Sequence, residues 1–331
     1  MKFLDVCSGI GGFRLGLEHL GYECVGSIEV NDSSVKTYNK NYLTNHKPLS
    51  IFDVKEDEVY DHDLLCAGFP CQAFSIAGKK DGFLDPRGTI IFEIIRLINS
   101  KRPKFVLLEN VKNLKNHDKG RTLKEIFRLL QEIGYTPSFK ILNSKQFSVA
   151  QDRERIFILA VRNDCYRLDF VFPDNQNRLV ALRDIIVKND FSIPISKKWE
   201  EYIDFYTGEK SIDDLSFEVP KTRKKIERIA DGTNLKDCIL TMRSSGIRAY
   251  PIDGVLPTLA VSISGGGAMI PVYTKERRHL SLTELKRIMG FPDDFEFPVS
   301  RTDAIKHLAN AVCPPVISAI GESLLSYSHR L

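Results

Sequence analysis

The chain is 331 residues long, enough to bury a substantial core as one large domain or as two lobes. Hydrophobic residues make up 43% and charged residues 27% of it, an ordinary globular balance, and no uninterrupted apolar run approaches the roughly 20 residues that span a bilayer. A formal net charge of +4 and a pI near 8.5 permit a polyanionic partner without demanding one.

The opening MKFLDVCSG has only a short apolar stretch before Asp5 interrupts it, so no secretory leader is expected. The seven cysteines (Cys7, Cys24, Cys66, Cys71, Cys165, Cys238 and Cys313) are odd in number and irregularly spaced. They read as free thiols in a reducing cytoplasm, and neither CxxC nor zinc-type Cys/His spacing occurs, so no metal is expected. The basic runs KKIER (224–228), TKERRH (274–279) and LKR (285–287) read either as solvated faces or as a polyanion-facing patch.

In chain order, Lys2–Cys7 reads as a buried strand, followed by glycines and a helix with Phe13, Leu17 and Leu20 on one face. Glu23–Val30 is a second strand, and Asn31 or Asp32 caps a helix carrying Val35, Tyr38 and Tyr42. A third strand is expected to end near Asp53, and Leu64–Gly68 is then the fourth. Gly88–Ser100 is helical, Phe105–Glu109 a strand, Leu123–Ile133 a helix, and Phe139–Leu142 and Ile156–Val161 further strands. This alternation predicts a mostly parallel sheet covered on both faces.

Past residue 172 the rhythm fails. PDNQN (173–177) reads as a hinge, and 178–270 as a smaller lobe of irregular strands and loops with a Gly265-Gly266-Gly267 run. Helical patterns return at Ser281–Met289 and Pro315–Leu325, where Val316, Ile320 and Leu324 share a face and Pro314-Pro315 fits the first turn. The first strand starts almost at residue 1, so this last helix is expected to return and cover the sheet there.

Five strand ends carry chemistry. Asp5-Val6-Cys7-Ser8-Gly9-Ile10-Gly11-Gly12 joins the first strand to the first helix, where glycines let a backbone approach a ligand. A tight structural turn is the plainer reading of those residues. Glu29 lies about 20 residues on, at the position where an acid binds ribose hydroxyls. Asp53 is placed to accept an adenine amino proton, and the three ends together imply an adenosine-containing cofactor. No GK[ST] follows the glycines, which argues against a phosphate-binding loop.

Gly68-Phe69-Pro70-Cys71-Gln72 leaves a buried strand and would deliver the Cys71 thiol to the crevice, although a lone cysteine is more often structural. The polar, glycine-containing 76–88 reads as a loop able to close over a substrate. Glu109 reads either as a helix cap or as a carboxylic acid of raised pKa beside Cys71. Arg153 and Arg155 alternate at a strand entrance, so their guanidinium groups share a face and could clamp a phosphate and a base carbonyl.

DVCSGIGGF, GFPCQAFS, ENV, QDRER, the Leu256-Pro257-Thr258-Leu259 segment with its glycine run, and His307-Leu308-Ala309-Asn310-Ala311-Val312 occur in this order. Together they resemble the signature motifs of DNA (cytosine-5) methyltransferases over essentially the whole chain, at the compact length of bacterial restriction-modification enzymes. The resemblance implies an α/β, Rossmann-like class I methyltransferase fold with a mostly parallel sheet and a smaller target-recognition lobe. It implies a catalytic domain over 1–172, recognition over 173–270, and a segment 271–331 returning to the catalytic domain.

The resemblance also implies S-adenosylmethionine as cofactor, double-stranded DNA as partner, a monomer, no membrane, and a cognate restriction endonuclease acting on the same site. By position, Cys71 is the nucleophile, Glu109 the acid at cytosine N3 and its amino group, Arg155 the contact to the cytosine carbonyl, and Arg153 a support for the catalytic loop and backbone. Asp5, Cys7, Gly9, Gly11, Gly12, Glu29, Val30, Asp53, Val54, Pro70 and Asn310 fall on the cofactor side. Ser75, Lys79, Lys80, Arg243, Arg248, Gly265 and Gly266 are the candidate DNA contacts.

Cys7, Val30 and Ala309 depart from the Phe, aromatic and Gly usual in the family, which bears on cofactor affinity. Two rivals remain. One is a tRNA cytosine-5 methyltransferase, whose Cys-Phe-Thr signature is here only Cys238-Ile239-Leu240-Thr241. The other is a non-catalytic DNA-binding regulator, although Cys71 and Glu109 are both present. A Rossmann dehydrogenase would give Pro70-Cys71, Glu109 and the arginine pair no role.

Overall fold

The computed structural model describes residues 1–70, 90–174, 179–188, 190, 193–243, 245–259 and 271–329. The first half lays down β1 (Lys2–Val6), α1 (Gly12–Glu18), β2 (Glu23–Ile28), α2 (Asp32–Tyr42), β3 (Leu64–Gly68), α3 (Ile90–Lys101) and β4 (Phe105–Val111). It continues through α4 (Arg121–Glu132), β5 (Tyr135–Asn143), the short β6 (Gln151–Asp152) and β7 (Glu154–Arg162). Among the described residues one six-stranded sheet runs in the order β2-β1-β3-β4-β7-β5.

The first four strands in that order pair parallel, and β7 is antiparallel to both β4 and β5. Only β7 therefore runs against the rest. The centre reads Leu64-Leu65-Cys66-Ala67 and Phe105-Val106-Leu107-Leu108, every residue fully buried, because helices cover both faces. Parallel pairing puts the carboxyl ends of β1, β2, β3 and β4 on one edge, and a crevice opens there.

The strand expected to end near Asp53 is absent. Residues Ile51–Asp53 form one 3-10 turn, opened by Ser50, whose hydroxyl accepts from Phe52 N at 3.3 Å. A serine that captures its own downstream amide competes with strand pairing, so Leu64–Gly68 is the third strand and Phe105–Val111 the fourth.

The C-terminal part holds α5 (Leu182–Ile185), α6 (Lys197–Thr207), β8 (Arg228–Ile229), β9 (Cys238–Arg243), β10 (Gly246–Pro251) and β11 (Leu256–Pro257). After these come β12 (Val272–Tyr273), β13 (Arg278–His279), α7 (Leu282–Met289), α8 (Arg301–Asn310) and α9 (Pro314–Ser328). A second sheet has the order β13-β12-β9-β10-β8, so it continues nine residues past 270. Helix α6 is a further departure from an irregular lobe: Ser196 caps it, Gly208 ends it at φ 79°, and Trp199, Tyr202 and Ile203 pack into the second sheet's core.

The second and third basic runs are partly spent inside the fold, whereas Lys224, Lys225 and Arg228 of the first are exposed. Arg278, 1% exposed, holds Glu284 through two hydrogen bonds of 2.9 and 2.8 Å, and Glu284 in turn caps α7 by accepting from Ser281 N at 2.7 Å. Lys286 is buried with its Nζ donating to Phe295 O at 3.0 Å. Arg287 pairs with Asp293, and Glu227 with Arg248.

Helix α9 does return to cover β1. Val316, Ile317, Ile320 and Leu324 share a core with Phe3, Phe13 and Leu17, and the Tyr22 hydroxyl donates to Gly321 O at 2.8 Å. By length and composition Arg301–Ser328 would pass for a membrane span, yet it is two helices, broken before Pro314 and folded into this core. The contact between α1 and α9 is close because it is made at glycines. A Cβ on Gly16 would lie 2.7 Å from both Ile317 Cβ and Pro314 O, and one on Gly321 would lie 2.8 Å from Leu17.

Gly16→Ala tests this packing. Alanine gains about 1 kcal/mol of helix propensity, but the clash falls on backbone that cannot rotate away and costs about 1–3 kcal/mol. The expected outcome is a lower urea midpoint at unchanged m-value. A raised midpoint would show that the helices separate freely.

Candidate active site

A cavity of about 790 Å³ lies at the carboxyl edge of the first sheet, reached by β1 to β4, β7 and α8. Its floor is the turn after β1, where Cys7, Gly9 and Gly11 take φ of 53°, 55° and 84°. Gly9 is the glycine that faces the cavity: a Cβ there would meet nothing within 4 Å, so the turn stays open for close approach. The Glu29 carboxylate locks the turn by accepting from Gly9 N and from Asn31 N, both at 2.8 Å. Each carboxylate oxygen keeps a lone pair for a ligand hydroxyl.

Across the cavity, Gly68, Phe69 and Pro70 leave β3, and Asn110 Nδ2 holds Phe69 O at 2.8 Å. In the β4–β7 ladder Val111 stands opposite Arg155, and Glu109, two residues back on the same face, meets Arg155 diagonally. The Arg155 Nε lies 3.1 Å from Glu109 Oε1. Glu109 is 8% exposed, and burial pushes its carboxyl up despite the opposing pull of Arg155 and Arg153. The shift runs in the direction expected from sequence, while Cys71, expected beside it, lies outside the described residues.

Arg153 faces the same cavity, but the phosphate-clamp reading does not hold for it. Its two Nη groups donate to Ala309 O at 3.0 Å and Ala311 O at 2.8 Å, which leaves Nε buried without a partner. Burial, with Arg155 alongside, pulls this guanidinium down to about 10. It carries the loop that presents the exposed Asn310 to the cavity.

Of the residues singled out by sequence, Cys7, Gly9, Glu29, Val30, Pro70, Glu109, Arg153, Arg155 and Asn310 line this one cavity. Asp5 does not: it is fully buried in β1 with both carboxyl oxygens unpartnered, and burial drives its pKa well up. Gly11 and Gly12 serve packing, since side chains there would strike the Tyr42 ring and Val312.

Asp53 is exposed and outside the lining, and Val54 is buried with its carbonyl taken by Arg96 at 3.0 Å; their neighbours Ile51 and Phe52 line the cavity instead. Arg243 and Arg248 lie on β9 and β10, away from the cavity, with Arg248 gripped by Glu227 at 3.1 and 2.9 Å. Cys71, Ser75, Lys79, Lys80, Gly265 and Gly266 lie outside the described residues, as does the whole 76–88 loop expected to close over substrate.

Ser33, Ser50 and His307 also line the cavity; the two serines were not singled out from the sequence, and His307 opened the late signature segment without a role. His307 stands one helical turn before Asn310, a spacing that places both on one face and could have flagged it.

These groups suit an adenosine-bearing ligand. An open glycine turn sits beside a fixed acid for hydroxyls, and Val30, Leu49, Ile51 and Phe52 form an apolar wall for a flat base. Glu109 and the arginines stand at the other end, where a second reactant would meet it.

The chain matches the C-5 cytosine-specific DNA methylase family over residues 1–326. It is 35% identical over 329 residues to the Type II methyltransferase M.HhaI of Haemophilus parahaemolyticus, covering 98% of this chain and 94% of that protein. It is 36% identical over 331 residues to the Type II methyltransferase M.NlaX of Neisseria lactamica, covering 98% and 96%. In fold it is similar to the Entamoeba histolytica methyltransferase EhMeth, with TM-score 0.66, 20% identity, and 100% and 98% of the two chains covered. The S. pombe Dnmt2 methyltransferase aligns with TM-score 0.61 at 19% identity over 98% of each chain. The chain thus belongs to the C-5 cytosine-specific DNA methylases, enzymes that methylate DNA cytosine with S-adenosylmethionine as the methyl donor.

Proposed function

We propose that this chain methylates C5 of a cytosine turned out of a specific duplex DNA sequence, through a covalent bond between the Cys71 sulfur and cytosine C6. The observation that carries the reading is the buried Glu109, its carboxyl pushed up by burial and paired to Arg155 in the cavity that also presents Glu29 and Asn310. Pro70, which precedes Cys71 in sequence, lines that cavity. S-adenosylmethionine supplies an electrophilic methyl group there, beside Glu29, Gly9 and Asn310.

Cytosine C5 is a weak nucleophile until C6 is saturated. The Cys71 thiolate attacks C6, and the displaced electron pair runs through C5 toward N3. Glu109 in its acid form gives its proton to N3 as negative charge develops there. Arg155 spends Nε on Glu109 and Nη1 on Glu154 O at 2.8 Å, which leaves Nη2 for the cytosine carbonyl. C5 would take the methyl group with S-adenosylhomocysteine as the leaving group while N3 returns its proton to Glu109, and loss of the C5 proton to a base then restores the C5–C6 double bond and expels the Cys71 sulfur. A stacked base cannot reach these groups, so the cytosine leaves the helix at a cost of about a few kcal/mol.

The second sheet, from Arg228 to His279 with Arg243 and Arg248 on it, is the proposed DNA-reading lobe. The tRNA alternative is disfavoured because Cys238 is a core residue of β9, its thiol raised to about 11 by burial. Similarity to Type II methyltransferases supports a place in a restriction-modification pair, with an endonuclease of the same site as functional partner, and a cytoplasmic monomer as working form.

Two outcomes test this reading. DNA carrying 5-fluorocytosine at the methylated position blocks loss of the C5 substituent, so the enzyme should form an adduct that survives SDS, whereas Cys71→Ser should form none. An adduct with the serine variant, or none with either, removes Cys71 as nucleophile. Glu109→Gln should lower kcat by about 10²–10⁴. The pKa of Glu109 is raised, so its acid form is lost as pH climbs through that value. Wild-type kcat should therefore show a fall on the high-pH side that Glu109→Gln lacks. A wild-type profile with no such fall, and a glutamine variant within tenfold, would assign the proton elsewhere.

A further inference from the structure

His307 is 8% exposed, lines the cofactor end of the cavity, and has no part in the chemistry above. Its Nε2 lies 2.9 Å from Ser33 Oγ and its Nδ1 lies 3.5 Å from Thr37 Oγ1, both on α2. The direction of these bonds follows from their neighbours. Asn31 caps α2 by accepting from Ser34 N at 2.9 Å, so the atom facing that amide is the carbonyl oxygen Oδ1 and not the NH2 group.

Ser33 Oγ lies 2.7 Å from the same Oδ1, which cannot donate, so the single serine proton points to Asn31. Ser33 then offers His307 only a lone pair, and Nε2 must carry the hydrogen. The Thr37 proton goes to Ser33 O at 3.1 Å, so Thr37 could only accept from Nδ1, and at 3.5 Å that contact is too long to fix a hydrogen there. Burial disfavours the charged ring, as does Lys306, against Asp303; both charged residues are on its own helix, and the α2 groups it touches are uncharged hydroxyls.

The donor chain His307 to Ser33 to Asn31 ends at the residue whose backbone amide donates to Glu29, at 2.8 Å. Three residues beyond His307, the loop around Asn310 is held by Arg153. We infer that His307, as the neutral Nε2–H tautomer, is a positioning residue for S-adenosylmethionine: it latches the α2 corner carrying Glu29 to the helix carrying Asn310. The inference rests on this cavity being the cofactor site.

Binding of S-adenosylhomocysteine measured by calorimetry tests it without turnover. His307→Ala should weaken binding about five- to tenfold, the loss of one hydrogen-bonded link. It should raise KM for S-adenosylmethionine by a similar factor, with kcat within about twofold at saturation. His307→Gln places an amide NH2 near Nε2 and should bind as wild type, whereas His307→Asn, whose amide sits near Nδ1, should bind as His307→Ala does. Ser33→Ala should match His307→Ala, and combining the two should add nothing.

If His307→Gln loses as much as His307→Ala, or His307→Asn binds as wild type, the latch is wrong. Should His307→Ala fail to fold, the glutamine–asparagine contrast decides alone. Glu29→Ala separates the two failures. Normal binding by that variant overturns the cofactor site itself, whereas weak binding by it with unaffected His307 variants overturns only the latch.

Discussion

Arg153 gives both Nη groups to backbone carbonyls of the loop between α8 and α9 while only 3% exposed. Burying a guanidinium costs several kcal/mol, and hydrogen bonds from a charged donor return about 1.5–3 kcal/mol each. The two sums nearly cancel, so the residue adds little net stability. Its effect is positional: a loop some 150 residues away in sequence is fixed against the edge of β7, and the cavity has a wall there. The unpartnered Nε completes the same picture, since a group arranged for stability alone would not leave a donor dry.

That wall exists only because the last helix reaches it. Helix α9 sits on α1 through Gly16 and Gly321, and the preceding turn brings Val312 against Gly12. Close approach at small residues sets the depth of α9, the depth sets the turn, and the turn sets where Asn310 projects. The acid at the far end obeys a different constraint. Glu109 is placed by ladder register alone, diagonal to Arg155 across β4 and β7, and its depth in the sheet pushes its carboxyl pKa up.

Much of this was legible in the chain. Long apolar runs such as Phe105–Leu108 can only be central strands, and a strand beginning at residue 2 requires a late element to cover it. The strand-end residues Gly9, Glu29, Pro70 and Glu109 converge because parallel pairing leaves no alternative. Other features were hidden by tertiary context. Asp53 was read as a strand end because local pattern does not reveal that Ser50 turns the chain. The basic run 274–279 looked solvated, since charge in sequence says nothing of Glu284 waiting to bury Arg278. The spacing from His307 to Asn310 could flag the histidine, but not its partner Ser33, which lies 274 positions away in sequence.

The two strands β6 and β11 form a ladder of two residues, Leu256 with Gln151 and Pro257 with Asp152, extended by Leu256 N to Ala150 O at 2.9 Å and by the Thr258 hydroxyl to Asp152 O at 3.1 Å. This splice ends one residue before Arg153. The distal sheet is consequently not a pendant on a loose tether: its chain is stitched into the peptide that aims the buried guanidinium. A displacement of that chain would be passed, through the backbone bond from Leu256 N to Ala150 O and the Thr258 hydroxyl on Asp152 O, to the peptide that sets Arg153 in the cavity wall.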